Sequence, residues 1–202
     1  MFSEWVRWIL SWFGLDSLVE LDATLLLVGL DNAGKTTILN LLKYDRLAAH
    51  APTMHPTMEE MTVQGINFKA WDLGGHEQAR RVWKEYYATA DGIVFVCDTT
   101  DRERFAEARQ QLNHVLIDEN VHDVPILVLG NKIDVGGAAT EGELREALNL
   151  ARDQPSTDTT IRQHIRPIDV FMCSAKERYG FKEAFEKFAH NIRLLSSLRQ
   201  HR

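Results

Sequence analysis

A glycine-bounded run at positions 29–36, Gly-Leu-Asp-Asn-Ala-Gly-Lys-Thr, has the residue types needed to hold a phosphate group. Its glycines let the backbone come close to an oxyanion, and N–H groups at the start of a following helix add positive potential. The lysine can reach the phosphates, and the threonine can offer its hydroxyl to Mg²⁺. The predicted phosphate-binding residues are Asp31, Asn32, Ala33, Gly34, Lys35, Thr36 and Thr37.

Two later runs have the residue types needed to read a purine base, Asn-Lys-Ile-Asp at 131–134 and Ser-Ala-Lys at 174–176. The carboxylate at position 134 can accept hydrogen bonds from N1–H and the 2-amino group of guanine, whereas adenine has no such amino group. The asparagine can tie the base loop to the phosphate loop, and the lysine stem can pack on the ring. The predicted guanine-binding residues are Asn131, Lys132, Asp134, Ser174 and Ala175.

A third run, Asp-Leu-Gly-Gly-His at 72–76, is placed to act on a terminal phosphate. A backbone N–H beside Gly75 can meet that phosphate, and Asp72 can hold Mg²⁺ through water. His76 stands where a side chain that positions the attacking water belongs, so we predict a catalytic role for it. The alternative is an ordinary surface histidine.

The predicted Mg²⁺ ligands are Thr36, Thr57 and Asp72. Thr57 follows a proline ahead of a predicted hairpin, where its hydroxyl can complete the metal shell when the γ phosphate is present. Thr53 is a competing candidate that the spacing does not exclude.

These runs need a sheet to bring them together. Apolar runs at 24–28, 66–71, 92–97, 125–129 and 168–173 alternate with helical patterns at 35–43, 78–87, 102–117, 141–150 and 181–195. Most of the apolar runs lack polar alternation, as strands covered on both faces do. This order predicts a doubly wound α/β fold with a mostly parallel, six-stranded sheet. Residues 59–64 lead into 66–71 through Gly65, which predicts a hairpin and one antiparallel edge strand.

The composition limits the classes of function. A chain of 202 residues suits one well-buried domain, and a net charge of −6 argues against nucleic acid as a partner. Cys97 and Cys173 each lie in an apolar run, which predicts two buried thiols and no disulfide. No apolar run is long enough to span a bilayer.

In order, the motifs GLDNAGKTT, HPT, WDLGGHEQARR, NKID and CSA resemble those of the Arf/Sar family of small GTPases, over about residues 22–192. The resemblance is closest to the Sar type, which initiates the COPII vesicle coat. His76 stands where Arf-type proteins have glutamine, and residues 152–166 resemble the Sar-type insertion before the last strand. Phe2 follows the initiator Met1, which excludes N-myristoylation, and the last residues contain no prenylation cysteine.

The resemblance implies a Mg²⁺-dependent switch that binds GTP or GDP and hydrolyses GTP slowly alone. A membrane-bound exchange factor loads GTP at the endoplasmic reticulum, the hairpin strands shift register, and the N-terminal helix is released. COPII coat subunits then bind near Thr57 and His76, and one of them supplies an arginine finger. The protein would cycle between the cytosol and the cytoplasmic face of the endoplasmic reticulum, with the Golgi as a further location. We interpret Arg80 and Arg81 as surface or partner-facing residues.

Two other functions remain open at this stage. A metabolic kinase with the same phosphate loop would need a basic lid for a phosphate acceptor, and no suitable arginine cluster is present. A nucleotide-binding scaffold without hydrolysis would not need Lys35, Thr36, Asp72 and His76 together. Binding of GTP against ATP, with phosphate release, separates these functions.

The first residues, MFSEWVRWILSWFG, predict an amphipathic helix over 1–18 that precedes a GTPase domain over 19–202. Its apolar side chains form one arc of roughly 200° on a helical wheel. A signal peptide fits poorly, because the start is not basic and no small-residue cleavage site follows. The predicted helix can lie in the surface of a bilayer, or, as the alternative, it can be a permanent part of the protein core. The residues predicted to contact the bilayer are Phe2, Trp5, Trp8, Ile9, Trp12 and Phe13.

Overall fold

The computed structural model describes residues 21–45, 47, 53–150 and 166–200. The predicted N-terminal helix with its six bilayer-contacting residues lies outside this part of the chain. The predicted loop at 152–166 lies outside it too, except for Arg166.

In the described part of the chain, six strands form one sheet in the order β2-β3-β1-β4-β5-β6. They are β1 Leu21–Val28, β2 Thr57–Val63, β3 Ile66–Asp72, β4 Gly92–Asp98, β5 Ile126–Asn131 and β6 Ile168–Met172. All neighbouring pairs are parallel except β2 and β3, which are antiparallel. The predicted mostly parallel sheet with one antiparallel edge strand is confirmed.

Six α-helices connect or follow these strands within the described residues. They are α1 Lys35–Tyr44, α2 Glu77–Arg80, α3 Trp83–Tyr87, α4 Phe105–Leu116, α5 Glu141–Ala147 and α6 Phe181–Gln200. Short 3₁₀ turns occupy Arg102–Arg104 and Glu119–Val121.

The single helix predicted over 78–87 is wrong, because the chain forms two short helices there. The amides of Arg81 and Val82 bond to carbonyls three residues earlier, at 3.4 and 3.3 Å, instead of continuing a four-residue pattern. Just beyond, the Trp83 indole N–H donates to the carbonyl of Gly74 at 2.9 Å. This tertiary hydrogen bond holds the second short helix against the loop that follows β3.

Three other helices differ from the prediction by more than one residue at an end. The pattern at 102–117 begins as a 3₁₀ turn, and the helix predicted over 141–150 ends at Ala147. The last helix continues to Gln200, five residues beyond its predicted end. It can do so because no glycine or proline follows Gly180.

The core has one layer on each face of the sheet. Successive residues of β1 point to opposite faces, so Leu25 and Leu27 pack under α1 and α6, while Leu26 and Val28 pack under α3, α4 and α5. Burial on both faces explains why the central strands are continuous apolar runs. Both cysteine side chains are buried and unpaired, as predicted.

Among the described residues, no helix combines the length and the apolar character needed to cross a bilayer. The parallel strands β1, β3, β4, β5 and β6 all end at the same edge of the sheet, since they share one direction. The predicted phosphate, base and histidine runs follow β1, β5, β6 and β3, so the sheet gathers them at that edge.

Candidate nucleotide site

The phosphate loop joins β1 to α1 and closes over a buried lysine. Lys35 is only 5% exposed, and its Nζ donates to the carbonyls of Gly29 at 3.0 Å and Leu30 at 2.8 Å. Burial lowers the pKa of this ammonium group to about 8. An anion bound in the loop would offset that desolvation, so the lysine is prepared for a phosphate group.

Gly34 is a position where a side chain cannot be accommodated. Its φ is 98°, and a Cβ there would lie 2.3 Å from Nδ2 of Asn131. That amide in turn donates to the carbonyl of Ala33 at 2.9 Å, and Oδ1 of Asn131 accepts from the amide of Ala175 at 3.0 Å. Asn131 therefore connects the phosphate loop with both base-reading runs.

A cluster of oxygen atoms lies at the start of α1. The Thr36 hydroxyl donates to Oδ2 of Asp72 at 2.5 Å, and the Thr53 hydroxyl lies 2.9 Å from it and 3.1 Å from the same carboxylate oxygen. The other oxygen, Oδ1 of Asp72, is buried with no hydrogen-bond partner among the described residues. Mg²⁺ prefers hard oxygen ligands, so this set with its orphaned carboxylate oxygen fits that ion.

The structure brings Thr53, and not Thr57, to this oxygen cluster. Thr57 is the first residue of β2, where its backbone pairs with Asp72, and its side chain is exposed. The two threonines are four residues apart and cannot be distinguished by sequence spacing, whereas the β2–β3 register separates them.

His76 begins the short helix α2 at the mouth of the site. It is the N-cap residue, and its carbonyl accepts a hydrogen bond from the amide of Arg80 at 3.1 Å. The preceding Gly75 packs directly on the phosphate loop, because a Cβ there would lie 2.2 Å from the amide nitrogen of Asp31. The backbone of this turn is therefore in contact with the loop that would hold the phosphates.

Asp134 presents a fixed carboxylate at the base end of the site. The Ser174 hydroxyl donates to its Oδ1 at 2.6 Å, and Nζ of Lys176 lies 3.5 Å from its Oδ2. The hydrogen bond from Ser174 lowers the pKa of Asp134, so the group is ionised at neutral pH. Lys132 is held beside it by an ion pair of 2.6 Å with Asp98.

One cavity of about 420 Å³ joins the phosphate end to the base end, which is a size typical of small-ligand sites. Its lining includes the predicted residues Asp31, Asn32, Gly34, Lys35, Thr36, Thr37, Gly75, His76, Asn131, Lys132, Asp134 and Ala175. The remaining predicted site residues, Ala33, Thr57, Asp72 and Ser174, do not line it. Leu47, Thr53, Val135 and Lys176 also line the cavity. Of these, Leu47 and Val135 have no signal in the sequence, because they belong to none of the motifs.

The model of the ADP-ribosylation factor family matches residues 11–192. The chain belongs to this family. The family consists of small GTPases, which bind GTP and GDP and hydrolyse GTP. The predicted family and fold are therefore confirmed.

Two similar curated proteins carry the name of one branch of the family. The chain is 38% identical to the small COPII coat GTPase SAR1 of Giardia intestinalis, over 92% of this chain and 96% of that protein. It is also 38% identical to the protein of the same name from Nicotiana tabacum, over 94% and 98% of the two chains. A solved structure of the Arl6 BBS3 small GTPase from Trypanosoma brucei, with bound GppNp, superposes with a TM-score of 0.74 at 28% identity. The match covers 88% of this chain and 99% of that one.

Arg80 lies in a more buried environment than its sequence pattern predicts. Its side chain is only 10% exposed and forms an ion pair with Glu107 at 2.6 Å. The prediction that it faces solvent or a partner is therefore wrong, although Arg81 is exposed. No sequence pattern indicates this pair, since the two residues are 27 positions apart on different helices.

Proposed function

We propose that this protein is a GTP-hydrolysing switch that binds the endoplasmic reticulum membrane in its GTP state and recruits COPII coat proteins for transport to the Golgi. The observation that carries the nucleotide part is the single cavity with Lys35 and Thr36 at one end and the Asp134 carboxylate at the other. The transport part is supported by the names of the two 38% identical relatives. GTP and ATP titrations with phosphate release test the nucleotide part, and ATP turnover would contradict it.

In the proposed mechanism the chain binds and orients the triphosphate. The Lys35 ammonium and the N–H groups of the loop neutralise phosphate oxygens. Asn131 holds the base-reading runs next to that loop. Thr36 and Asp72, with Thr53 or Thr57, would hold Mg²⁺, which supplies neutralisation of charge on the phosphates when it is bound. His76 holds the attacking water in line with the γ phosphate.

His76→Gly should leave GTP affinity within about twofold of the wild type and slow hydrolysis by about a hundredfold, also in the presence of an activating protein. The lost interaction orients water in the transition state and contributes little to ground-state binding. Single-turnover phosphate release measures the effect. His122→Gly is the matched control, because His122 is exposed and does not line the cavity. If His76→Gly hydrolyses GTP at the wild-type rate, His76 is an ordinary surface histidine and has no catalytic role.

Thr36→Asn should weaken GTP binding by about tenfold more than GDP binding, since hydrogen bonds to charged groups contribute roughly 1.5–3 kcal/mol. The hydroxyl now bonded to Asp72 is the group proposed for the metal shell, and GDP depends on the metal less. Affinities at saturating Mg²⁺ measure the difference, with Thr89→Asn in the exposed turn after α3 as the control. An equal loss for the two nucleotides would show that Thr36 is only structural.

An activating coat subunit is proposed to supply an arginine in trans. In the described part of the chain no arginine lines the cavity, and Arg80 and Arg104, which lie nearby in the fold, are engaged in ion pairs. A membrane-bound exchange factor is proposed to load GTP. The protein then cycles between the cytosol and the cytoplasmic face of the endoplasmic reticulum, with the lipid surface bound by residues 1–18.

A further inference from the structure

Four charged side chains form an unbroken chain from the phosphate loop to the turn that carries His76. Nη2 of Arg104 lies 2.8 Å from Oδ1 of Asp31, and Nε of Arg104 lies 2.8 Å from Oε2 of Glu107. The other oxygen of that carboxylate, Oε1, lies 2.6 Å from Nη2 of Arg80. Glu107 is the centre of the chain, since each of its oxygens holds one guanidinium group.

The Arg80 end of this chain depends on Glu107. The side chain of Arg80 is 10% exposed, and its buried Nε has no hydrogen-bond partner among the described residues. A buried cation that loses its carboxylate partner is left uncompensated, which is far more unfavourable than losing a surface pair. Arg80 is therefore held in one place chiefly by Glu107.

The position of Arg80 determines the position of the turn at His76. Arg80 is the last residue of α2 and His76 is its N-cap, and the Arg80 amide donates to the His76 carbonyl at 3.1 Å. A helix of four residues has too few internal hydrogen bonds to keep its own place. The ion pair to α4 supplies an external attachment for it.

The other end of the chain fixes the phosphate loop. Asp31 lines the nucleotide cavity and places a carboxylate where an anionic ligand is expected. Arg104 offsets that charge, and its hydrogen bond is the main reason that the pKa of Asp31 is lowered. Arg104 is the N-cap residue of α4 and Glu107 lies in the first turn of that helix, so the loop and α2 are both attached to α4.

We propose that Glu107 is a positioning residue for GTP hydrolysis, which keeps His76 and the phosphate loop in fixed mutual geometry through Arg80 and Arg104. Glu107 itself does not line the cavity. The inference rests on the proposed water-positioning role of His76. Displacing such a group by about 1 Å can slow a reaction by about a hundredfold without weakening substrate binding.

Glu107→Gln should slow single-turnover GTP hydrolysis by at least about tenfold, with GTP and GDP affinities within about twofold of the wild type. Glutamine has the same shape, but it can accept from only one of the two arginines and presents an NH₂ group to the other. The matched control is Glu141→Gln, which removes an Arg–carboxylate pair of 2.7 Å on α5 that does not line the cavity. The control should hydrolyse GTP at the wild-type rate.

A double-mutant cycle distinguishes positioning from simple stabilisation. Arg80→Gln and Arg104→Gln should together slow hydrolysis by clearly less than the product of their separate effects, because both act through one carboxylate. In the Glu107→Gln background each should add less than about twofold. The proposal would be overturned if the effects of the two arginine substitutions on the hydrolysis rate multiply and their sizes follow the decreases in melting temperature. If Glu107→Gln does not fold, Arg104→Gln alone should show the same slow hydrolysis in GTP-loaded protein, since its side chain is partly exposed.

The His76 variant separates failure of this inference from failure of the proposed mechanism. Slow hydrolysis by His76→Gly with wild-type hydrolysis by Glu107→Gln would overturn only the positioning role. Wild-type hydrolysis by His76→Gly would overturn the water-positioning mechanism, and the role inferred for Glu107 with it.

Discussion

Asp134→Asn should lower the affinity for GTP by about a hundredfold or more and raise the affinity for xanthosine triphosphate relative to GTP. A site built to hydrogen-bond a polar group discriminates by about 10⁴-fold against an analogue that lacks it. In the structure Ser174 already donates to Oδ1 of Asp134 at 2.6 Å. An asparagine oxygen would keep that bond, which leaves its NH₂ group facing the two donors of guanine. Xanthine carries a carbonyl at position 2, which can accept from that NH₂ group.

Competition of GTP, ATP and xanthosine triphosphate against a fluorescent nucleotide measures this change of preference. Asp123→Asn is the matched control, since Asp123 does not line the cavity. Its preference for GTP should equal that of the wild type. Unchanged GTP affinity in Asp134→Asn would remove the base-reading role, because a carboxylate that contacts the base cannot be exchanged for an amide without loss.

The parts of the fold that could be predicted from the sequence are those fixed by local pattern. A strand buried on both faces has no polar alternation, and the runs around Leu25 and Val94 show this directly. The hairpin followed from the short polar link at Gly65. The break between α2 and α3 could not be predicted, since it depends on the hydrogen bond from Trp83 to Gly74 across the fold.

In the candidate site, too, some features follow from local sequence and others depend on tertiary contacts. The phosphate loop is a single continuous run, so its spacing alone located it. The choice between Thr53 and Thr57 depends on the register of β2 against β3, which spacing does not encode. The ion pair of Arg80 with Glu107 depends on how α2 packs on α4, and a sequence pattern typical of helix surfaces gave the opposite prediction for Arg80.

The apolar residues ahead of the described domain carry the second prediction with a large effect. Eight of them, Phe2, Trp5, Val6, Trp8, Ile9, Leu10, Trp12 and Phe13, share one face of the predicted helix. Half-inserted into a bilayer surface, they can contribute on the order of 10 kcal/mol. Ordering about a dozen residues costs roughly 1 kcal/mol each. The two quantities nearly cancel, so the expected membrane affinity is modest and reversible.

A marginal affinity of this kind can be controlled by the nucleotide. If the GDP state shelters the apolar face against the protein, a difference of a few kcal/mol between the two states decides whether the helix reaches lipid. We therefore expect protein loaded with a non-hydrolysable GTP analogue to float with liposomes, and GDP-loaded protein largely to remain in solution. Equal flotation in the two states would contradict the switch while leaving the nucleotide site intact.

Replacing Trp5, Trp8 and Trp12 together with alanine should abolish flotation, because the three indoles supply the largest apolar area on that face. GTP affinity should remain at the wild-type value, since none of the residues proposed to bind the nucleotide belongs to the run 1–18. The matched control replaces Ile117, Leu194 and Leu198 with alanine, three exposed apolar residues of the folded domain. That variant should float like the wild type in the GTP state, because its three altered residues are not among those proposed to contact the bilayer. Flotation that survives the triple tryptophan replacement would show that the N-terminal residues are not the membrane anchor.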